Sequence, residues 1–161
     1  MKYRLLTKDE LNELQPEFIH FLASNTITAD DYKKLQNEHP EKVEELIEIF
    51  SDIVLEKVLK KVNYIEHREP SNLMTFHCLS DRMVLLGMSI KGNADLTDPD
   101  FIAAVNQKPG LLNELNLEVF KSEKMYTDER EKEIFKLLES GALISDGKLF
   151  QTLELIHFSK N

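Results

Sequence analysis

The spacing of apolar residues changes twice along this chain of 161 residues, and the change limits the folds open to it. Up to residue 62 apolar side chains recur every three or four positions, which is the period of an amphipathic helix. Over residues 63–92 they recur at every second position, as in the strands of a sheet. After residue 97 the helical period returns. We therefore predict an α+β protein with N-terminal helices, a three-stranded antiparallel meander and C-terminal helices.

We expect residues 1–161 to form a single domain, helical over 1–62, a β-meander over 63–92 and helical again over 97–158. A chain of this length buries enough surface for an ordinary core. No internal repeat or long linker divides it. With 42% apolar and 30% charged residues, the composition fits neither a disordered chain nor a membrane protein.

Local signals mark the ends of the N-terminal helices. Thr7 and Glu10 have the spacing of a capping box, and Pro16 either kinks the helix that follows or divides it into two. Thr28 begins a short helix, and a long helix follows over residues 40–62. The apolar residues of the long helix form two groups that point about a quarter-turn apart. Its apolar face is therefore wide enough to serve core packing or a dimer contact.

Three strands are predicted in the central segment, over residues 63–68, 73–79 and 83–91. A four-residue turn after the first strand sets Ile65 opposite Phe76 on the apolar face. A three-residue turn over residues 80–82 sets Cys78 opposite Val84 on that same face. The helices are expected to cover the apolar face, which consists of Ile65, Phe76, Cys78, Val84 and Leu86.

Helical signals return in the C-terminal part, over residues 99–105, 128–140 and 147–157. Asp98 and Thr127 are the expected N-caps of the first two helices, and Gly141 is the expected residue after the second. The residues between them, 111–126, match neither period.

The other face of the meander carries a group of polar side chains, Tyr64, Glu66, Arg68 and His77. The predicted register sets Tyr64 opposite His77 and Glu66 opposite Thr75. A histidine paired with a carboxylate is the minimum for a general base, and an arginine orients anionic substrates. Glu66 and His77 are therefore candidate catalytic residues, and Tyr64 and Arg68 are candidate ligand-binding residues. Charged and aromatic cross-strand pairs also stabilise exposed sheet faces, so this structural interpretation stays open.

Three side chains that bind metals, His67, His77 and Cys78, lie within twelve positions. A zinc ion requires its ligands to converge on one point. Neighbours on a strand point to opposite faces, so His77 points away from the side of His67 and Cys78. We therefore predict no metal site, and we interpret Cys78 as a small buried apolar side chain with an unreactive thiol.

Charge and motif content exclude several other classes. The chain carries a net charge of −9 and no basic block longer than Lys60-Lys61, which disfavours nucleic acid as a partner. The first residues lack the apolar stretch of a signal peptide, and no apolar run is long enough to span a membrane. Together with the single cysteine, these features predict a cytoplasmic protein. The sequence also lacks the common nucleotide-binding, zinc-protease and serine-hydrolase motifs, so we predict no cofactor.

The opening residues M-K-Y-R-x-L-T-x-x-E-L resemble a family of uncharacterised proteins from Bacteroidota. The stretches 45–54, 64–68 and 75–78 are similar to the same family. This resemblance covers about the first 90 residues. It implies a cytoplasmic bacterial protein and supplies no activity, cofactor or catalytic residue.

The residues thus favour a non-catalytic interaction or regulatory module that associates with a protein partner or with itself. An unpaired edge of the first or third strand, next to the wide apolar face of helix 40–62, offers a route to a dimer. The alternative is a small-molecule enzyme or ligand-binding protein that uses Glu66, Arg68 and His77.

Overall fold

A computed structural model describes residues 1–92, 94–108, 110–111 and 116–160 of the chain. Contacts within the chain group into two compact units, Met1–Lys60 and Lys61–Asn161. Within the described residues the chain forms seven helices and one five-stranded antiparallel sheet, which confirms the α+β class. The single-domain organisation stays a prediction.

The N-terminal unit consists of helices α1 (Lys8–Glu13), α2 (Gln15–Ser24), α3 (Ala29–Glu38) and α4 (Pro40–Lys60). The predicted capping box is confirmed, since the Thr7 side chain accepts from the backbone N–H of Glu10 and the Glu10 carboxylate accepts from that of Thr7. Pro16 lies in the first turn of α2, where it needs no hydrogen-bond partner, so two short helices form.

Aromatic rings from three helices form the centre of this unit. Phe50 of α4 is 3% exposed, and its ring lies 5.0 Å from that of Phe18 and 5.4 Å from that of Phe21. Tyr32 of α3 meets Phe18 edge-on at 5.7 Å. The buried Ser51 hydroxyl accepts a hydrogen bond from the Leu6 N–H, which joins the N-terminal segment to α4.

The C-terminal unit contains strands β1 (Tyr64–Arg68), β2 (Asn72–Cys78), β3 (Arg82–Ile90), β4 (Leu117–Met125) and β5 (Leu143–Ser145), with helices α5 (Pro99–Gln107), α6 (Arg130–Glu139) and α7 (Lys148–Lys160). The order across the sheet is β4-β3-β2-β1-β5. The predicted meander is therefore the central part of a larger sheet. The first and third predicted strands, either of which we expected to be an open edge unless another strand paired with it, are both paired, because β5 lies beside β1 and β4 beside β3.

The predicted register is confirmed between β1 and β2 and wrong between β2 and β3. Ile65 pairs with Phe76 as expected. Cys78 pairs with Met83 and not with Val84. The reason is the length of the turn: the Leu79 N–H donates to the Arg82 carbonyl at 2.9 Å, so only two residues close the hairpin. A shift of one residue transfers every side chain of β3 to the other face.

Val84 and Leu86 consequently lie on the face opposite Ile65, Phe76 and Cys78, so the single apolar face that we predicted is wrong. The sheet instead has apolar side chains on both faces. We call the side with Val84 and Leu86 the α7 face, because Phe150, Leu153 and Ile156 of α7 belong to the same buried cluster. We call the other side the α6 face.

The α6 face is the side of Ile65, which is fully buried, together with Phe76 and Cys78. Phe76 and Leu137 of α6 both line a groove of about 400 Å³ there. The chain passes from α6 along the sheet edge as β5 and continues into α7.

Two N-cap predictions in this unit have different outcomes. Asp98 caps α5 and accepts from the Asp100 N–H, as expected. Thr127 does not cap α6, whose N-cap is Glu129. The backbone N–H of Thr127 instead donates to the Glu133 carboxylate at 2.5 Å, so a side chain inside the helix holds the segment before it.

Candidate functional site

The four polar residues predicted to share one face do share it. Tyr64 pairs with His77 and Glu66 pairs with Thr75 across β1 and β2, as the sequence indicated. Because residues of a strand alternate between faces, Tyr64, Glu66 and Arg68 point to the same side of β1. That side is the α7 face, which we expected to be the more exposed side of the meander.

His77 is held between aromatic rings. Its imidazole stacks on the Tyr64 ring with the centroids 4.4 Å apart and the planes 16° apart. The Phe150 ring of α7 meets it edge-on at 5.5 Å. Burial lowers the pKa of His77 from its ordinary 6.5, and the carboxylate of Glu154 on α7 partly opposes this shift. The lowered pKa favours the neutral imidazole, which packs as an aromatic ring.

Glu66 is paired with Arg68 and not with His77. Glu66 is 8% exposed, and one of its carboxylate oxygens accepts from the Arg68 Nη2 at 2.6 Å and from its Nε at 3.2 Å. The two residues lie two positions apart on β1, so their side chains are neighbours on the same face. A buried carboxylate needs such a partner because an unpaired charge is costly away from water.

A cavity next to Arg68 has a volume of about 10 Å³. Its other lining residues are apolar: Leu73, Met88, Leu96, Phe101, Ile102, Val105 and Leu149. This volume corresponds to about one water molecule. Sites for small molecules typically measure about 300–1,000 Å³. In this conformation the α7 face has room for its own side chains and not for a metabolite beside Arg68.

The three metal-competent side chains are divided between the faces as predicted. His67 and Cys78 lie on the α6 face, whereas His77 lies on the α7 face. His67 lies 3.7 Å from a carboxylate oxygen of Glu69. In the described part of the chain, no three His, Cys, Asp or Glu side chains come together as a metal site.

The prediction that Cys78 is a buried, unreactive thiol agrees with its environment. Its side chain is 3% exposed. Burial raises the pKa of the thiol to about 11, and the Arg130 guanidinium opposes that rise only in part. A thiol with this pKa is protonated at neutral pH and is a poor nucleophile or metal ligand.

Arg130 is a structural side chain whose contacts the sequence did not reveal. Its Nε donates to the Leu79 carbonyl at 3.0 Å, and its Nη2 donates to the carbonyls of Val62 at 2.5 Å and Cys78 at 3.0 Å. Its Nη1 lies 3.3 Å from the Glu131 carboxylate. One planar guanidinium thus joins the start of α6 to the chain before β1 and after β2. In the sequence it is one of six consecutive charged residues, 128–133, a run that is typical of a solvated helix start.

None of the helices among the described residues is both long and apolar enough to cross a membrane. The fold and the packed polar face together define an α+β protein with α7 packed on one face of its sheet. The chain belongs to the DUF6495 family, a family of unknown function whose model matches residues 1–157. No curated protein and no solved structure matches it.

Proposed function

We propose that this protein is a non-catalytic interaction module that associates with itself. The observation that carries the proposal is the edge strand β4. It is nine residues long, and residues 120–125 are all exposed. A long exposed edge presents unpaired backbone groups that bind another strand, unless the protein blocks it.

The packing of the polar group supports a role without catalysis. Glu66 is paired with Arg68, and His77 stacks between Tyr64 and Phe150. These contacts stabilise the sheet and α7. The alternative, a small-molecule site at Glu66, Arg68 and His77, requires α7 to move before a ligand of metabolite size fits.

A second exposed surface lies in the N-terminal unit. Ile49 and Ile53 on α4 are 52% and 51% exposed. Ile53 also borders a groove of about 480 Å³ between α2 and α4, with Phe21 and Phe50 among its walls. Apolar side chains grouped in this way are typical of protein contacts. This exposed apolar surface of α4 competes with β4 as the self-association surface.

We further propose a cytoplasmic location and an origin in Bacteroidota. The single buried thiol of Cys78 supports the first, since reducing compartments preserve free cysteines. The resemblance of the opening residues supports the second.

Sedimentation velocity of the full-length protein over a range of concentrations tests the proposal. We expect a dimer whose population rises with concentration by mass action. A species that stays monomeric up to about 100 µM contradicts self-association, because a dissociation constant above that value corresponds to less than about 5.5 kcal/mol of binding free energy.

A further inference from the structure

We propose that β4 pairs with β4 of a second copy of this chain, antiparallel and about a two-fold axis at Ser122. Two five-stranded sheets then become one sheet of ten strands. This inference rests on the proposed self-association and assigns its surface, its register and the residues that make it specific.

Backbone groups of alternate residues of β4 point away from β3. At one end of the strand the Lys91 N–H donates to the Asn116 carbonyl at 3.0 Å, and at the other the Tyr126 N–H donates to the Asp81 carbonyl at 3.4 Å. Even-numbered residues of β4 therefore point their backbone groups toward β3. Because the direction alternates along a strand, the odd-numbered residues point theirs to the open edge.

The outward residues set the possible registers. In a two-fold antiparallel pair, outward residues must lie opposite outward residues. An axis at Ser122 sets Lys121 opposite Glu123 of the second copy, and the symmetry repeats this pair. An axis at residue 121 sets Lys121 opposite itself, and an axis at residue 123 sets Glu123 opposite itself. Like charges directly opposite each other are destabilising, so the register centred on Ser122 is favoured over its neighbours.

The apolar residues fit the same register. Val119 lies opposite Met125 of the second copy, and Met125 is 61% exposed in the single chain. Pairing therefore covers an exposed apolar side chain on the same side of the sheet as the Lys121–Glu123 pairs. Phe120, whose ring lies over Gly87 of β3 and which is 44% exposed, lies opposite Lys124 of the second copy in this register.

The charges of β4 leave Lys121 available for this contact. Among the described residues, no carboxylate lies within 4 Å of its ammonium group. Glu118 and Lys124 already have partners within the chain, at 3.5 Å from Lys91 and 3.6 Å from Glu133. Glu123 lies 3.5 Å from the Arg82 Nε and is half exposed, so it can accept a second cation.

Charged residues on an edge usually prevent pairing with other strands. In the register centred on Ser122 the outward charges attract, whereas in the two neighbouring registers Lys121 or Glu123 lies opposite itself. This gives the edge a specific partner, a second copy, and protects it from unrelated strands.

Variants that change the charges at positions 121 and 123 test the inference, with the dimer dissociation constant measured by sedimentation velocity. Lys121→Glu alone, or Glu123→Lys alone, replaces two attractive pairs by two repulsive ones. We expect each to raise the dimer dissociation constant by about tenfold to a hundredfold. The double variant Lys121→Glu/Glu123→Lys restores opposite charges and is expected to dimerise like the natural protein. Lys148→Glu makes the same change of charge on α7 and is expected to leave the dimer unchanged.

Mixing the two single variants provides a stronger test. The Lys121→Glu chain presents two glutamates and the Glu123→Lys chain two lysines, so only the mixed dimer pairs opposite charges. We expect native mass spectrometry to show the heterodimer in excess over both homodimers. Thermal unfolding of each variant shows that it is folded, and recovery in the double variant excludes a folding defect as the cause.

The outcomes separate this inference from the proposal on which it rests. A dimer that is insensitive to all β4 charge variants, and that Ile53→Glu dissociates, overturns the β4 pairing and leaves self-association through α4. A natural protein that is monomeric throughout overturns both. Loss of the dimer in the single variants without recovery in the double variant contradicts the register.

Discussion

Replacing Arg130 by methionine removes the guanidinium that binds three carbonyl oxygens, those of Val62, Cys78 and Leu79. The side chain of Arg130 is 15% exposed, so water replaces these bonds only in part. Methionine keeps most of the apolar stem and removes the donors. The change therefore tests the hydrogen bonds more than the packing.

The size of the effect follows from the number of bonds. A hydrogen bond in a protein contributes about 0.5–1.5 kcal/mol, and one from a charged donor contributes more. Three such bonds give a loss of about 3–5 kcal/mol, a large part of the 5–15 kcal/mol that stabilises a typical domain. For a chain of this length a loss of about 4 kcal/mol lowers the unfolding midpoint by about 10 °C.

Differential scanning calorimetry of the natural protein and Arg130→Met measures the midpoints. Lys132→Met is the matched control, because it removes a positive charge from the same helix, where exposed ion pairs with Asp128 and Glu129 contribute little. A midpoint for Arg130→Met within about 2 °C of the control would refute the claim that Arg130 holds α6 to the sheet.

Three further predictions concern single positions. Gly147→Ala places a Cβ 2.5 Å from the Tyr64 ring at a φ of +82°, whereas Gly92→Ala places one in open space at a φ of +122°. Urea unfolding should show that Gly92→Ala lowers the free energy of unfolding by about 1–2 kcal/mol. Gly147→Ala should lower it clearly more, because its Cβ also meets the ring. Equal losses would show that the ring moves away freely. Cys78 should resist Ellman's reagent at pH 8 in the folded protein and react fully in denaturant, because burial raises its pKa to about 11; rapid native labelling is the contrary result. Hydrogen bonds from Arg4 and the backbone lower the pKa of Glu10 from 4.5 to about 2, so this carboxylate contributes stability above pH 4.5 that is lost as the pH falls toward 2. Glu10→Gln should lack that part of the acid dependence in pH-dependent unfolding, and an unchanged profile would show that the pair with Arg4 contributes nothing.

The N-terminal helix starts could be predicted because each depends on residues close in sequence. The side chains of Thr7 and Glu10 accept hydrogen bonds from each other's backbone N–H within a single turn. Pro16 lies in the first turn of α2 and marks where that helix begins. Asp98 caps α5 for the same local reason. The prediction that Thr127 is the N-cap of α6 was wrong. Its backbone N–H donates to the carboxylate of Glu133, six residues away, and the N-cap is Glu129.

The register between β2 and β3 depends on the length of the turn between them, which the spacing of apolar residues does not determine. A two-residue turn and a three-residue turn both fit the polar residues after β2, and they place Val84 on opposite faces. The pattern therefore showed that Tyr64, Glu66 and His77 share a face, but not that α7 covers it. Strand β4 was missed because residues 118–125 are almost all exposed and lack the apolar alternation of a half-buried strand.

Arg130 shows a further limit of local patterns. Its three acceptors lie about 50 to 70 residues before it in the sequence. No spacing of residue types indicates such a contact, so Arg130 could not be distinguished from its charged neighbours in the run 128–133.

Native mass spectrometry of the natural protein, purified without denaturation, measures the number of chains in the assembly and the mass of any bound group. We expect a dimer whose mass is twice that of the chain, with nothing else bound. A monomer would contradict self-association. A mass excess equal to a metal ion or a metabolite would contradict the non-catalytic module and favour the alternative site at Glu66, Arg68 and His77.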